Sequence, residues 1–251
     1  MRELITRRTF LIAAAATSVF LPRDARAAPL VIGSEDYPPY AFNFRGGRRG
    51  YDVEKVTMVL EELKYRPLQR SMIRAALFKG LEEDVVDVAF PFTETPLRLQ
   101  KYIVAGALHN NRSVLAMRKD EAKEPMTLES IAGLRVAVTE RHRYPAAFES
   151  LTNITRVPCS SLNLAVRRLS YGRVDAVIGD RTAMDSMVQV EGLEHKIHVS
   201  PQSLGSGTAY CLFPKSHVAL ATAFNDTLKR LAAAGRFKDL EARFPSVDPP
   251  K

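Results

Sequence analysis

The chain predicts an α/β fold in two parts, on three observations. Short apolar runs alternate with segments of helical spacing, the pattern of parallel strands joined by crossover helices. Once an N-terminal leader is set aside, the rest of the 251 residues exceeds one ordinary core of about 100 to 150 residues and suits two. One phrase also occurs twice: a helix, a turn and VVDVAF at 85–90 return as a helix, YGR and VDAVIGD at 174–180.

The elements follow in order. PLVIGS at 29–34 predicts a strand, and VEKVTMVLEEL at 53–63 repeats apolar residues at helical spacing. RAALFKGLEEDV at 74–85 predicts the next helix and VDVAF at 86–90 the next strand. In the second series SVLAMR at 113–118, LRVAVT at 134–139 and VDAVIG at 174–179 predict strands. LNLAVRRLSYG at 162–172 predicts a helix ending on a glycine. GSGTAYCLFPK at 205–215 opens the return, its GSGT read as a hinge, and an amphipathic stretch over 219–244 closes the chain as helices.

The leader is residues 1–27. Arg7 and Arg8 begin it, Phe10 to Leu21 form its apolar core, and ARA at 25–27 is a small-residue cleavage site. The apolar run falls short of the about 20 residues a membrane helix needs. Two arginines followed by Thr-Phe-Leu resemble a twin-arginine signal, and no cysteine lies near the cleavage site to carry a lipid; a soluble periplasmic protein is expected. The leader's five arginines outweigh Glu3 and Asp24, and removing its net +3 from the whole-chain +8 leaves +5. That charge is dispersed, without basic blocks interleaved with aromatics, so no nucleic-acid partner is expected. Cys159 and Cys211 fall in separate segments and are expected to stay unpaired. HKIH at 195–198 has metal-like spacing but lacks a third ligand, GSGT lacks the lysine of a phosphate loop, and no nucleophilic triad stands out. Neither metal nor cofactor is expected.

Ligands of open parallel sheets bind beyond the carboxyl ends of strands. Thr93 and Arg98 follow one such end and Asp180 another. Facing each other across a cleft, they would set a fixed cation against a fixed anion, an arrangement that fits an α-amino acid zwitterion. Each residue also has a duller use: Arg98 as partner of Glu94, Asp180 as a helix cap, Tyr37 as packing beside Pro38 and Pro39.

Five motifs in order complete the sequence evidence: YPPYAF at 37–42, GYDVE at 50–54, FTETPLR at 92–98, YGRVDAVIGD at 171–180 and AAGRFKDLEARF at 233–244. Together they resemble the periplasmic solute-binding proteins of polar amino-acid ABC transporters, bacterial extracellular solute-binding protein family 3. The resemblance implies a two-lobed periplasmic-binding-protein-like fold (type II) with two crossing hinge strands. Lobe 1 would hold 29–110 and 207–251, and lobe 2 would hold 111–206. It implies a monomer that binds an amino acid or related carboxylate for a membrane permease, with Arg98 on the α-carboxylate, Thr93 beside it, Asp180 on the α-ammonium and Tyr37 over the side chain. The chain departs from the family where a small Gly-Ser-Thr or Gly-Thr-Thr turn is usual, reading ERHRYP at 140–145 instead. With Arg141, His142 and Arg143 turned inward, an acidic ligand with two acidic groups is favoured and Arg143 joins the site; turned outward, backbone donors serve instead. The alternatives are an enzyme on the same fold, a cyclic-acid dehydratase or glycan lyase with Glu35 and His142 as its acid–base groups, or a soluble sensor partner.

Replacing Arg7 and Arg8 together by lysine is expected to leave precursor in the cytoplasm, because the twin-arginine receptor reads the pair itself. Fractionation checks this; normal export of the double variant would assign the leader to the general secretory route.

Overall fold

The computed structural model describes residues 29–250, so the leader lies outside the described residues. Strand β1 (Leu30–Ser34) leads through the hairpin β2 (Phe42–Phe44) and β3 (Gly47–Arg49) to helix α1 (Tyr51–Glu62). The hairpin turns on Arg45 and Gly46, both at positive φ, as a two-residue turn with the twist of its strands requires. Then come β4 (Pro67–Ser71), α2 (Arg74–Glu82), β5 (Val88–Thr93), α3 (Pro96–Lys101) and the 16-residue strand β6 (Ile103–Arg118). The second series is β7 (Arg135–Thr139), α4 (Ala146–Glu149), β8 (Thr155–Cys159), α5 (Leu162–Ser170), β9 (Ala176–Asp180), α6 (Arg181–Val190) and β10 (Ile197–Val199). Strand β11 (Gly205–Phe213) returns, and α7 (Val218–Ala233) and α8 (Lys238–Arg243) close the chain.

The strands form one mixed sheet ordered β4-β1-β5-β11-β6-β9-β7-β8, with β10 on the far part of β6. Within each lobe pairing is parallel, β1 with β4 and β5, β7 with β8 and β9. The antiparallel strands β6 and β11 join the two sets. β6 pairs with β11 from Ile103 to Ser113 and with β9 from Ser113 to Met117, so a single strand serves both lobes. The segment predicted as a strand over 113–118 is therefore the last part of β6, continuous through the polar HNNR at 109–112 with apolar Ile103–Leu108. β5 likewise runs beyond the expected Phe90 to Thr93, because β11 supplies hydrogen-bond partners opposite Phe92 and Thr93.

Helices cover both faces of the sheet. Buried Val56, Val59 and Leu60 of α1 share one cluster with Phe224 and Leu228 of α7 and with Leu162 and Val166 of α5. Leu115, Val136, Ile178 and Phe148 fill a second cluster in lobe 2, and Leu77, Phe92 and Leu212 a third in lobe 1. Two charges on α1 are also buried: Asp52 meets His109 Nδ1 at 2.9 Å, and Lys55 donates to the Leu108 carbonyl at 2.7 Å. Partners inside the protein offset the cost of dehydrating such groups. Cys159 and Cys211 are free and buried.

Gly106 bends β6 at φ +67°, and a Cβ there would lie 2.5 Å from the Phe224 ring. Gly172 has the same φ but open space around it. Gly106→Ala is expected to lose about 2–4 kcal/mol, backbone strain plus overpacking, and Gly172→Ala only about 1–2 kcal/mol. Chemical denaturation of the two variants checks the difference.

Candidate functional site

The cleft is built from chain ends beyond the strands. The loop after β1 carries Glu35 and Tyr37, and Arg48 of the hairpin holds it, donating to Ser34 Oγ at 2.6 Å and the Glu35 carbonyl at 2.7 Å and pairing with Asp36. After β5, Thr95 caps α3 by accepting from the Arg98 backbone N–H at 3.2 Å, with Pro96 opening the helix. This short turn folds the Arg98 guanidinium back over the end of β5, where Nη1 donates to the Thr93 carbonyl at 2.6 Å and to its hydroxyl at 2.9 Å. Arg98 is 6% exposed and Nη2 lies 3.5 Å from the Arg141 carbonyl across the cleft. It has no carboxylate partner among the described residues; the alternative pairing with Glu94 is not formed.

Asp180 ends β9 and caps α6, its Oδ1 accepting from the Ala183 N–H at 2.9 Å. Its helix-capping use is therefore real. Yet the same oxygen accepts from the Tyr40 hydroxyl of lobe 1 at 2.8 Å, and Oδ2 accepts from the Arg112 N–H at 3.0 Å. An ionised carboxylate offers about four acceptor positions, so about one remains. Tyr37 stacks on Tyr40 at 5.7 Å, and Tyr40 on His109 at 3.7 Å.

Tyr37, Thr93, Arg98, Arg143 and Asp180 all border one polar cavity of about 70 Å³ between the lobes. The sheet topology brings together all five sequence-predicted residues. The turn at 140–145 divides: Arg141 and Arg143 are exposed, Arg143 reaching the cavity wall, while His142 points inward.

Arg74, the first residue of α2, also borders the cavity and was not anticipated, because an arginine opening an amphipathic helix reads as solvated surface. Its side chain is 9% exposed. It pairs with Glu35 at 2.5 Å, touches His142 Nε2 at 2.8 Å and lies over the Phe92 ring at 4.7 Å, where Arg98 also stacks at 5.2 Å. Its Nε has no partner among the described residues. Glu35 and His142, the two acid–base candidates, are thus 3.6 Å apart and both engaged with Arg74. Burial first and then the Arg74 charge hold the His142 pKa down at about 4, against the pull of Glu35. Glu35 is itself held below the usual carboxylate range: burial opposes this, but His142 and Arg74 together outweigh it. Burial, then repulsion from Arg74 and Arg143, pushes Arg98 down to about 10.

Two α/β lobes on shared antiparallel strands, with a polar cleft lined by a carboxylate and by guanidinium groups, define the architecture of a periplasmic binding protein. The chain belongs to the bacterial extracellular solute-binding proteins, family 3, whose model matches residues 30–246. This is a family of binding proteins, not of enzymes. The L-arginine-binding protein of Pseudomonas aeruginosa is 25% identical over 256 residues, covering 96% of this chain and 98% of the relative. Among solved structures, a histidine kinase sensor domain with similarity to periplasmic binding proteins superposes with a TM-score of 0.81 at 20% identity, over 90% of this chain and 99% of that one. A mutant of the arginine-binding protein from T. maritima gives 0.78 at 24%, over 86% and 95%. At these identities the structures establish a common fold.

His142 is neutral in the fold but titrates near 6.5 when exposed. The unfolded chain therefore binds the proton first, and stability falls as pH drops from about 6.5 towards 4. Between pH 7 and 4.5 the loss is expected to be about 2 kcal/mol, and His142→Gln is expected to flatten that part of the profile; urea titrations across the range check it.

Proposed function

We propose that this protein captures a small carboxylate-bearing solute, an amino acid, between its lobes in the periplasm and delivers it to the membrane permease of an ABC transporter. The observation that carries this reading is Arg98: a buried guanidinium, fixed by Thr93, facing a polar cavity without a carboxylate of its own. Burying a charge is costly unless a counter-charge arrives, and a planar guanidinium matches a carboxylate two bonds at a time. In this reading Arg98 takes the α-carboxylate with Thr93 beside it, Asp180 offers its remaining acceptor position to the α-ammonium, Tyr37 covers the side chain, and Arg143 borders the ligand from lobe 2. The lobes divide where β6 and β11 cross, with 29–110 and 207–251 on one side and 111–206 on the other, and ligand draws them together by a hinge motion. Family membership and the arginine-binding relative support an amino-acid ligand, and the leader at 1–27 supports the periplasm.

With the ligand at 100 times its dissociation constant, the folded state is expected to gain about 2.7 kcal/mol, read as a rise in melting temperature. Arg98→Ala is expected to remove most of this gain, since an unpaired buried charge costs about 3–5 kcal/mol. A ligand-induced shift that is unchanged in Arg98→Ala would place the carboxylate elsewhere.

A further inference from the structure

The carboxylates near the cleft have little capacity left for a cation beyond an α-ammonium on Asp180. Glu35 holds Arg74 at 2.5 Å, and three N–H or O–H donors converge on Asp180. The guanidiniums are not matched in the same way. Arg98 and Arg143 have no ion-pair partner among the described residues, and Arg74 keeps a buried, unpartnered Nε at the cavity wall. Arg74 and Arg98 share the Phe92 ring, so their charges face the same small space. The rim adds to this field: a second hollow next to the cavity is lined by Lys79, Lys101 and Arg141 as well as by Arg98 and Arg143, against Glu82 alone, which Lys101 pairs at 3.0 Å. A third hollow, which shares Tyr37, Thr139, His142 and Leu162 with the cavity, carries Glu35 and Asp36 and no lysine or arginine, so the positive field lies on the α2–α3 side of the cleft.

We propose that the cleft selects a short solute with two acidic groups and a net negative charge, one group held by Arg98 and the other by Arg74 with Arg143. The proposal rests on the cleft being the solute site, and it separates this protein from its arginine-binding relatives. A cationic side chain entering here would meet guanidiniums, and the one carboxylate placed to receive it, Glu35, is paired with Arg74. A neutral amino acid would leave Arg143 without a carboxylate and the Arg74 Nε without an acceptor. The low pKa of Arg98, caused after burial by Arg74 and Arg143, accords with a site that an anion would relieve.

Isothermal titration calorimetry of the purified protein with L-glutamate, L-aspartate, succinate, L-glutamine and L-arginine tests the proposal. At least one of the three acids is expected to bind about a hundredfold or more tighter than glutamine and arginine. Arg74→Gln frees Glu35, and is expected to weaken the best acid about tenfold or more while strengthening arginine. Should that variant fail to fold by circular dichroism, Arg143→Ala, at an exposed position, is expected to weaken the best acid more than it weakens glutamine. Arginine or glutamine binding tightest would overturn the charge selection and leave the solute-binding reading standing, as would an acid preference unaltered in every folded variant. A folded protein that binds none of the five, nor any other common amino acid, would overturn both.

Discussion

Both lobes depend on one strand. β6 hydrogen-bonds to β11 along its first part and to β9 along its last, overlapping at Ser113, so neither lobe completes its sheet without it. Backbone pairing of this kind fixes register, because a slip of one residue turns every side chain to the opposite face. His109, Asn111 and Ser113 of β6 consequently border the cleft together, while Leu108 and Leu115 enter the core. The same ladder sets Thr93 opposite Ala209 and Asp180 opposite Ser113, which brings the ends of β5 and β9 to one cavity.

Around that cavity the electrostatics are uneven by construction. Its acids are held by internal donors, Glu35 by Arg74 and Asp180 by three N–H or O–H groups, whereas Arg98 rests on the Phe92 ring and the Thr93 carbonyl. An aromatic face stabilises a cation less than a carboxylate does when the site is dry, so Arg98 is the buried charge here that lacks an ionic partner among the described residues. Arg48 contributes indirectly. By gripping the Ser34 and Glu35 backbone region, it keeps Glu35 within reach of Arg74.

Local chemistry made part of this legible in the sequence. Thr-Pro-x-Arg after an apolar strand specifies a capped short helix, which is why Arg98 could be placed. Asp180 could be read because it follows a buried strand and precedes a helix. The features that escaped depend on contacts distant in sequence. Arg74 looks like a solvated helix start until Glu35 and Phe92 surround it; Asp52 and Lys55 look like the wet face of α1 until His109 and the Leu108 carbonyl receive them. The continuity of β6 was obscured because the polar residues at 109–112, of which His109 and Asn111 border the cleft, separate apolar Ile103–Leu108 from Val114–Met117. The long C-terminal stretch read as helical divides at Gly235, whose φ of +66° ends α7 before α8 begins.

The bonds of Asp180 are unequally distributed between the lobes. Two of its donors, Arg112 N–H and Ala183 N–H, lie beside it in the sheet and at its own helix, and only the Tyr40 hydroxyl comes from the opposite wall. A rotation of the lobes apart would carry the first two along and sever only the third, releasing a phenol that water can satisfy at a net cost of about 1 kcal/mol. At the other end of the cleft, the same rotation would pull His142 from Arg74 and bring water to a buried ion pair. Each end of the cleft is therefore closed by a single side-chain bond between the walls, and the His142 end is the wetter of the two, since the Glu35 and His142 side chains keep 16% of their surface exposed while Tyr40 keeps none.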